Sequence, residues 1–503
     1  APRGGGARTG ARNGGTPVTG ARDLSGGGRE WELVIGLEVH CQLKTQSKIF
    51  CGCRTSFGDA PNSNTCPVCL GLPGALPVLN AHAVALATRA SLALGCTVHE
   101  ESVFARKNYF YPDLPKGYQI SQFDRPLATN GAIVVGTNAD ATPRVIRVHR
   151  VHMEEDAGKS VHDRFADATA IDLNRAGTPL VEIVSEPDIR SAADAAAYAK
   201  RLKQILEYAD VSDANMEEGS LRVDVNISVR RIGDATLGTK TEIKNLNSFS
   251  GIERAAEIEF ARQCTVLAHG GRIEQQTMLY DDKRNEVRPS RSKEGSHDYR
   301  YFPEPDLPPL QLTPAYIADQ HAALPELPPA RRARFAAQYA LADAEIEQLL
   351  ATRELADRFE EVAAAAGDAK RAANWMLGPV LASVNASGTP LAHHPVSAER
   401  LGALIALEVS GQLSNTAARQ LFTMLEQDPG SPLEVARAAG LLQVRDDEAL
   451  VRWIDEVFAE HAAEAARFMS GEKKLQGVLV GLVMKKSNAV SYTHLTLPTN
   501  REV

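Results

Sequence analysis

The stretch WELVIGLEVHCQLK, residues Trp31–Lys44, alternates apolar and polar side chains and predicts a strand with two different faces. Glu38 and His40 share the polar face. A carboxylate beside an imidazole can bind a divalent metal or exchange protons near neutral pH, although an ordinary solvated sheet face shows the same pattern. The face predicted to pack into the core carries Trp31, Leu33, Ile35, Leu37, Val39, Cys41 and Leu43.

Later segments repeat this pattern. Leu221–Arg230 alternates in the same way, and Lys240–Asn247 has a similar charged face. Thr178–Val184 is a short apolar strand that carries one carboxylate, Glu182, and this favours a ligand or an ion pair at that position. Together these segments predict a half-open antiparallel sheet with a polar site on its exposed face. Because strand patterns come first and helical patterns follow, the predicted fold class is α+β, with an all-α tail.

Length and composition limit the possible classes of protein. The chain has 503 residues, of which 44% are hydrophobic, so two or three globular domains are expected. A net charge of −8 argues against a general nucleic-acid coat and leaves RNA binding to local basic patches. No apolar run approaches the roughly 20 residues that span a bilayer, and the N-terminus lacks a hydrophobic signal core. A cytoplasmic protein with reduced thiols is therefore expected.

Changes in composition predict how the chain is divided. Residues 1–29 are rich in Gly, Arg, Ala and Thr and predict a disordered leader, with a mitochondrial-type transit peptide as the alternative. Prolines cluster shortly after residue 300 and helical patterns follow, which places the main boundary near residue 322. The predicted regions are the sheet domain at 30–322, a helical domain at 323–430, a second helical region at 431–486 and an atypical end at 487–503.

Four cysteines follow the first strand with the spacing C-x-C-x12-C-x2-C. Two close pairs joined by a turn-rich loop can place four thiolates around one zinc ion. Four unrelated buried cysteines are the alternative, but paired spacing in a reducing compartment favours metal. Because all four positions are cysteine, no ligand position stays open for a substrate, and the zinc is expected to be structural. The predicted ligands are Cys51, Cys53, Cys66 and Cys69.

A loop rich in charged, amide and aromatic groups runs from Arg106 to Gln122. These groups suit a phosphate or the edge of an adenosine or ribose, but a tyrosine-rich packing loop would have the same composition. The segment HMEEDAGK, His152–Lys159, then places three acids ahead of a Gly-Lys pair. It lacks the glycine framework of a P-loop, so Lys159 by itself indicates little.

Much of the chain, from Trp31 to about Lys486, resembles the B subunit of the aspartyl/glutamyl-tRNA(Asn/Gln) amidotransferase. The segments that carry the resemblance are IGLEVHCQLKTQSKIFC, PNSNTCPVC, RKNYFYPDLPKGYQISQ, HMEEDAGKS, DLNRAGTPLVEIVSEPDIRS, MEEGSLRVDVNIS and DYRYFPEPDLPP. The resemblance implies a heterotrimer with an amidase A subunit and a small C subunit. It also implies a cradle-shaped antiparallel catalytic domain at 30–322 and a tRNA-binding, YqeY-like tail at 431–486.

The resemblance further implies a reaction and its residues. Using ATP and Mg²⁺, the protein would phosphorylate the side chain of Glu on tRNA(Gln) or of Asp on tRNA(Asn), and ammonia from the amidase would then displace the phosphate. An acyl phosphate also reacts with water, so a gated conduit for ammonia is expected, with Glu155 as its gate. The implied Mg²⁺ and kinase residues are Glu38, His40, Glu155, Glu182 and Asp224. The implied nucleotide or channel contacts are Lys107, Tyr109 and Lys159.

A non-catalytic RNA-binding scaffold with a zinc knuckle and a helical tail is the alternative function, and it would consume no ATP. The choice between Glu-tRNA(Gln) and Asp-tRNA(Asn) depends on which synthetases the cell has, so both substrates stay open. The segment after Lys486 lacks the glycine-rich turn and the final amphipathic helix that the resemblance implies, and it is expected to be foreign to the family pattern.

Overall fold

The structure is a computed structural model that describes residues 30–162, 165, 167–290, 299–443 and 447–486. The predicted leader at 1–29 and the atypical end at 487–503 lie outside the described residues. The chain divides into two compact units, Ala1–Pro328 and Pro329–Val503. Strands make up much of the first unit, and the second unit is helical throughout its described residues.

Strands and four helices build the first unit. In chain order they are β1 (Trp31–Gln42), α1 (Ala81–Ala93), β2 (Thr97–Val98), β3 (Glu101–Ser102), β4 (Ala105–Asn108), β5 (Tyr118–Ser121), β6 (Ala128–Thr137), β7 (Pro143–Glu155), β8 (Lys159–Val161), β9 (Ala170–Asp172), β10 (Pro179–Ser185), α2 (Ala192–Tyr208), β11 (Leu221–Arg231), β12 (Thr241–Leu246), α3 (Phe249–Ala268), β13 (Thr277–Asp281), β14 (Glu286–Pro289), β15 (Phe302–Pro303), β16 (Leu310–Gln311) and α4 (Pro314–Ala322).

A nine-stranded sheet forms the centre of this unit, and β1 is its middle strand. The strand order is β14-β13-β12-β11-β1-β10-β7-β6-β2. Neighbouring strands are antiparallel except β12 and β13, which are parallel because α3 carries the chain from the end of one to the start of the other. The predicted α+β class with an antiparallel sheet is confirmed, with this one parallel pair as an addition that the sequence did not predict.

The predicted apolar face of β1 lies in the core. Leu33, Ile35, Leu37, Val39, Cys41 and Leu43 are all buried, while Trp31 at the strand end is only half-buried. They share a core with side chains of three helices, including Ala87 of α1, Leu202 of α2 and Ile252 of α3. Full burial of each such Leu or Ile contributes about 1.5–3 kcal/mol. The other face of β1 is thereby left free of helices from this core and available for a polar site.

Polar caps fix where the core helices begin. Asn80 accepts hydrogen bonds from the backbone N–H groups at the start of α1, and Ser248 accepts one at the start of α3. The Oγ atom of Ser191 accepts a hydrogen bond from the backbone N–H of Asp194, 3.1 Å away, at the start of α2. Each cap satisfies a donor that has no partner within its helix.

Helices build the second unit, which begins at the end of the first. They are α5 (Pro328–Tyr339), α6 (Asp343–Leu349), α7 (Arg353–Ala366), α8 (Ala369–Trp375), α9 (Leu381–Ser387), α10 (Ala398–Val409), α11 (Asn415–Leu425), α12 (Pro432–Ala438), α13 (Asp447–Glu460), α14 (Ala462–Met469) and α15 (Gln476–Lys486). A π-helical turn, Met376–Val380, joins α8 to α9 and contains Pro379. Short 3₁₀ turns lie at Leu391–His393 and Lys473–Leu475.

Candidate active site on the open face of the sheet

Four polar side chains lie side by side across the middle of the sheet. His40 of β1 is paired with Arg222 of β11 on one side and with Glu182 of β10 on the other. Glu182 is paired in turn with His152 of β7. Directly opposed residues of antiparallel strands project from the same face, so these residues form one row across four strands. Glu154, two residues after His152 on β7, adds a carboxylate to the same face.

Three of these side chains form a group that could hold a metal ion: His40, Glu154 and Glu182. The Nε2 atom of His40 lies 3.6 Å from a carboxylate oxygen of Glu154 and 3.4 Å from one of Glu182. Both carboxylates are almost fully buried, and the ligand atoms of all three residues lie within 4.8 Å of one another. Carboxylate oxygens suit Mg²⁺, and two anions converging in a buried place favour a cation between them. The donor set therefore fits a divalent metal.

The charges of this group support the same conclusion. Burial alone would raise the pKa of Glu182, but His152 and His40 together hold it well below its usual value. Burial alone would lower the pKa of His40, but the hydrogen bond and the charge of Glu182, together with the charge of Glu154, raise it to about 9. The raised pKa of His40 means that its imidazole can supply positive charge to these carboxylates.

A cavity of about 440 Å³ opens beside the group. His40 and Glu154 contribute to its wall, and so do residues from five further segments of the first unit. The cavity is large enough to hold part of a nucleotide or the end of an aminoacylated RNA, since small-molecule sites have volumes of roughly 300–1,000 Å³. Its charged and aromatic lining includes Lys107, Tyr109, Asp156, Arg222, Asp224 and Lys244.

Lys107 and Tyr109 lie in the wall of this cavity. The Nζ atom of Lys107 lies 4.8 Å from the ring centre of Tyr299 and 5.8 Å from that of Tyr109. Burial would lower the pKa of Lys107, but the charges of Glu154 and Glu182 outweigh it and raise the pKa above its usual value. Lys107 is thus a fixed cation between aromatic rings at the edge of the acidic group.

Glu38 and Asp224 share the polar face but stand next to the metal-binding group and not within it. Glu38 accepts a hydrogen bond from the Asn226 side chain at 2.9 Å. Burial, together with the negative charges of Glu182 and Glu242, raises the pKa of Glu38. Asp224 is directly opposite Glu38 in the sheet and pairs with Lys244 at 2.9 Å. These two carboxylates therefore add negative charge around the group, but they are not among its three possible metal ligands, His40, Glu154 and Glu182.

The structure does not bring Glu155 to this group, although it is among the magnesium residues expected from sequence. Glu155 follows Glu154 on β7, so it projects from the opposite face of the sheet. Its carboxylate pairs with Lys116 and accepts a hydrogen bond from the backbone N–H of Ile120, 2.9 Å away. It lies on the wall of a separate cavity of about 100 Å³ that also includes Cys51 and Cys69. Glu154 occupies the position that was expected for Glu155.

Lys159 also lies apart from the candidate site. It is exposed on β8, where it is paired with Asp172 of β9 in a two-stranded sheet. Among the described residues that line the 440 Å³ cavity, Lys159 does not appear. Its expected contact with a nucleotide or a channel therefore has no support from this geometry.

The cysteines of the paired motif come together as expected from their spacing. Cys51, Cys53, Cys66 and Cys69 have their sulfur atoms within 4.8 Å of one another. Hydrogen bonds from Cys51 and from the backbone N–H of Cys66 lower the pKa of Cys69, so a thiolate is favoured even without metal. Four thiols at this separation fit one tetrahedral zinc ion. They leave no position for a substrate, in agreement with a structural role.

Comparison with known proteins places this chain in a family. Residues 33–318 match the family model of the GatB/GatE catalytic domain, and residues 357–490 match that of the GatB domain. The B subunit of the aspartyl/glutamyl-tRNA(Asn/Gln) amidotransferase of Geobacter sulfurreducens is 49% identical over 460 residues, which cover 91% of this chain and 96% of the relative. The chain belongs to the family of these amidotransferase B subunits. The corresponding protein of Prosthecochloris aestuarii is likewise 49% identical, over 91% of this chain and 94% of its own length.

Family membership confirms the resemblance and the assignment to a tRNA-dependent amidotransferase. The match to the GatB/GatE catalytic domain covers the sheet and both of the sites described above. The match to the GatB domain begins within α7 and covers the helices that follow. In the described part of the chain, no helix is long and apolar enough to cross a membrane.

Three members of the site were not predicted from the sequence: Glu154, His152 and Asp156. His152 and Glu154 are two residues apart in the segment HMEED, so a period-2 pattern on that segment would have placed them on one face. A run of three acids without an assigned secondary structure gives no such placement. Asp156 has no comparable signal, because it lies just after the end of β7 and its partners Gln42 and Arg222 are remote in sequence.

Proposed function

We propose that this chain is the kinase and transamidase component of a tRNA-dependent amidotransferase. In the proposed reaction the side-chain carboxylate of Glu on tRNA(Gln), or of Asp on tRNA(Asn), attacks the γ-phosphorus of ATP and ADP leaves. Ammonia then attacks the carbonyl carbon of the acyl phosphate, and inorganic phosphate leaves. The products are Gln-tRNA(Gln) or Asn-tRNA(Asn). The observation that carries this proposal is the buried group of His40, Glu154 and Glu182 beside a cavity in the catalytic domain.

The chemistry needs positive charge close to two anions, the carboxylate and the triphosphate. A Mg²⁺ ion held by His40, Glu154 and Glu182 would offset the charge on the phosphate oxygens. Lys107 adds a fixed cation on the same wall of the cavity. Phosphoryl transfer depends mostly on position and charge, so a wall of buried, mutually paired side chains is suited to it.

The proposal includes partners and a place in the cell. We infer that an amidase A subunit releases ammonia from glutamine, that a small C subunit completes a heterotrimer, and that the complex is cytoplasmic. Glu155 is proposed to gate the ammonia, since it lies on the wall of a separate cavity and its negative charge is paired there with Lys116. The helical tail at 431–486 is proposed to bind tRNA. The zinc at the four cysteines is proposed to hold their loop in place at the edge of the Glu155 cavity, whose wall includes Cys51 and Cys69.

The test mixes the purified heterotrimer with mischarged Glu-tRNA(Gln) or Asp-tRNA(Asn), ATP and glutamine. The proposal predicts ADP release that depends on the mischarged tRNA, together with the amidated product. A non-catalytic RNA-binding scaffold would bind the tRNA and release no ADP. Running the two tRNAs in parallel also determines whether one substrate or both are used.

A further inference from the structure

Arg222 lies in the candidate site but has no role in the phosphorylation and amidation steps proposed above. It is directly opposite His40 in the β1–β11 pairing, and it lines the 440 Å³ cavity together with His40 and Glu154. Opposed residues on antiparallel strands have Cα atoms about 4.5–5.5 Å apart, so the guanidinium begins from a position next to the proposed metal ligand. A cation at this place faces whatever anion the cavity receives.

One edge of the guanidinium is fixed by a buried carboxylate. The Nη2 atom of Arg222 donates to Asp156 at 2.8 Å, and Asp156 is only 4% exposed. Asp156 is itself held by the side-chain amide of Gln42 at 2.7 Å and by Arg175, whose Nε atom lies 3.6 Å away. A guanidinium has five N–H donors in a rigid plane, so fixing one edge also fixes the direction of the others.

The remaining donors of Arg222 are not all used. Its Nε atom is buried and has no hydrogen-bond partner in the described part of the structure. A buried N–H without an acceptor is unfavourable, so an acceptor supplied by a bound ligand would stabilise this group. Neutralising Asp156 is not a sufficient reason for Arg222 to be present, because Arg175 already supplies a second cation there.

We propose that Arg222 is a catalytic residue that binds an anionic oxygen of the reacting groups. The two sources of that oxygen are the side-chain carboxylate of the aminoacyl group and the phosphoryl group in transfer. Both are anions that must meet in a cavity whose wall already carries Glu154, Asp156 and Asp224. Arg222 offsets their charge, and Asp156 acts as a positioning residue that holds it. This inference rests on the proposed function and adds a residue to its site.

The experiment compares Arg222→Ala and Arg222→Lys with a matched control, Arg230→Ala, in the assembled complex. Arg230 is on the same strand and the same face, and it is also paired with a carboxylate, Glu32, at 2.6 Å, but it does not line the cavity. Ammonium replaces glutamine so that the partner's glutaminase does not limit the rate. Arg222→Ala should lower kcat/KM for the mischarged tRNA by a factor on the order of 10²–10³, and Arg222→Lys by less, because it keeps the charge but not the fork. The control should stay close to the wild-type rate.

Separate titrations of the two substrates distinguish the sources of the oxygen. If Arg222 binds the phosphoryl group in transfer, kcat falls while KM for ATP and for the mischarged tRNA changes little. If it binds the aminoacyl carboxylate, KM for mischarged tRNA rises while binding of uncharged tRNA is unchanged. Both outcomes support the inference. A kcat/KM for mischarged tRNA in Arg222→Ala equal to that of the Arg230→Ala control would overturn it.

A double variant tests whether Arg222 serves only to neutralise its partner. If that were its role, Asp156→Asn combined with Arg222→Ala would regain most of the lost activity, because no unpaired buried charge would remain. The inference predicts that the double variant is no more active than Arg222→Ala alone. Wild-type complex that releases no ADP with mischarged tRNA would refute the proposed function itself, and this outcome is distinct from an active wild type with an unaffected variant.

Discussion

Replacing Glu154 and Glu155 by Gln, one at a time, should separate the two faces of β7. Glu154→Gln keeps the size of the side chain and its contact with Ser121 Oγ, 3.2 Å away, but removes the charge next to His40. Losing one charged ligand of a three-residue group should reduce ATP-dependent phosphorylation by a factor on the order of 10² or more. Because Glu154 lies in the sheet and not in the tail, tRNA affinity should stay nearly unchanged.

Glu155→Gln should have a different result. Its side chain is 4% exposed and is paired with Lys116, which is 10% exposed. The variant leaves the Lys116 charge without its buried partner, a change that costs about 3–5 kcal/mol of folding free energy when the site is fully buried. We expect a loss of stability near the lower end of that range, because Lys116 also lies 5.3 Å from the ring centre of Tyr118. Phosphorylation of the mischarged tRNA should persist.

Two assays measure these outcomes. ADP release in the presence of Glu-tRNA(Gln) follows phosphorylation, and product formation with glutamine or with ammonium follows the supply of ammonia. Glu155→Gln should release ADP normally and, if Glu155 gates ammonia, should form product better with ammonium than with glutamine. Two results would contradict separate roles for the two faces of β7. One is a loss of phosphorylation in Glu155→Gln as severe as that in Glu154→Gln, and the other is a wild-type rate of phosphorylation in Glu154→Gln.

Three other predictions concern zinc, tRNA and pH. Cys66→Ser should lower thermal stability more than it changes intrinsic chemistry, and metal analysis of the wild type should find zinc, with less than about half an equivalent counting against the site. Lys473→Ala with Lys474→Ala should weaken tRNA binding and reduce its salt dependence, whereas Lys486→Ala should have less effect, since Lys486 is already paired with Glu456 and Glu460. Unchanged tRNA binding in the Lys473→Ala/Lys474→Ala variant would contradict tRNA binding by the tail. Burial would raise the pKa of Glu360, but Arg334 and Arg331 lower it to about 2, so its stabilising contribution is complete above the unfolded value of 4.5 and is lost as pH falls toward 2. Chemical unfolding should therefore show a stability difference between wild type and Glu360→Gln that shrinks from pH 7 to pH 3, and a constant difference would contradict this pairing.

The fold was predictable where the alternation of side chains is regular. The pattern of Trp31–Lys44 assigned the buried face of β1 and placed Glu38 and His40 together on the other, because side chains in a strand repeat every two residues. The sequence carries no comparable signal for the parallel pairing of β12 with β13. That pairing depends on the path of α3, which is set by how the helix packs on the sheet and not by any local pattern.

The candidate site was less predictable, because it depends on which residue of an acidic run faces which way. Shifting a strand by one residue moves every side chain to the opposite face. In the segment HMEED, only the pairing of β7 with β10 establishes that Glu154 faces Glu182 and His40 while Glu155 faces Lys116. The alternation alone assigned Arg222 to the polar face of its strand. Its contact with Asp156 joins residues that are 66 positions apart, and no spacing in the sequence indicates it.

The open face of the sheet is proposed to phosphorylate the aminoacyl group of a mischarged tRNA. The most direct measurement is ADP release by the assembled complex with ATP and Glu-tRNA(Gln), comparing wild type with Glu182→Gln, while tRNA binding is measured on the same samples. Glu182 contacts both His40 and His152 at 3.4 Å, so its charge is central to the group. We expect tRNA-stimulated ADP release in the wild type. In the variant the rate of ADP release should fall by a factor on the order of 10² or more, while tRNA affinity stays unchanged. A variant that releases ADP at the wild-type rate would contradict the assignment of this face as the site of phosphorylation.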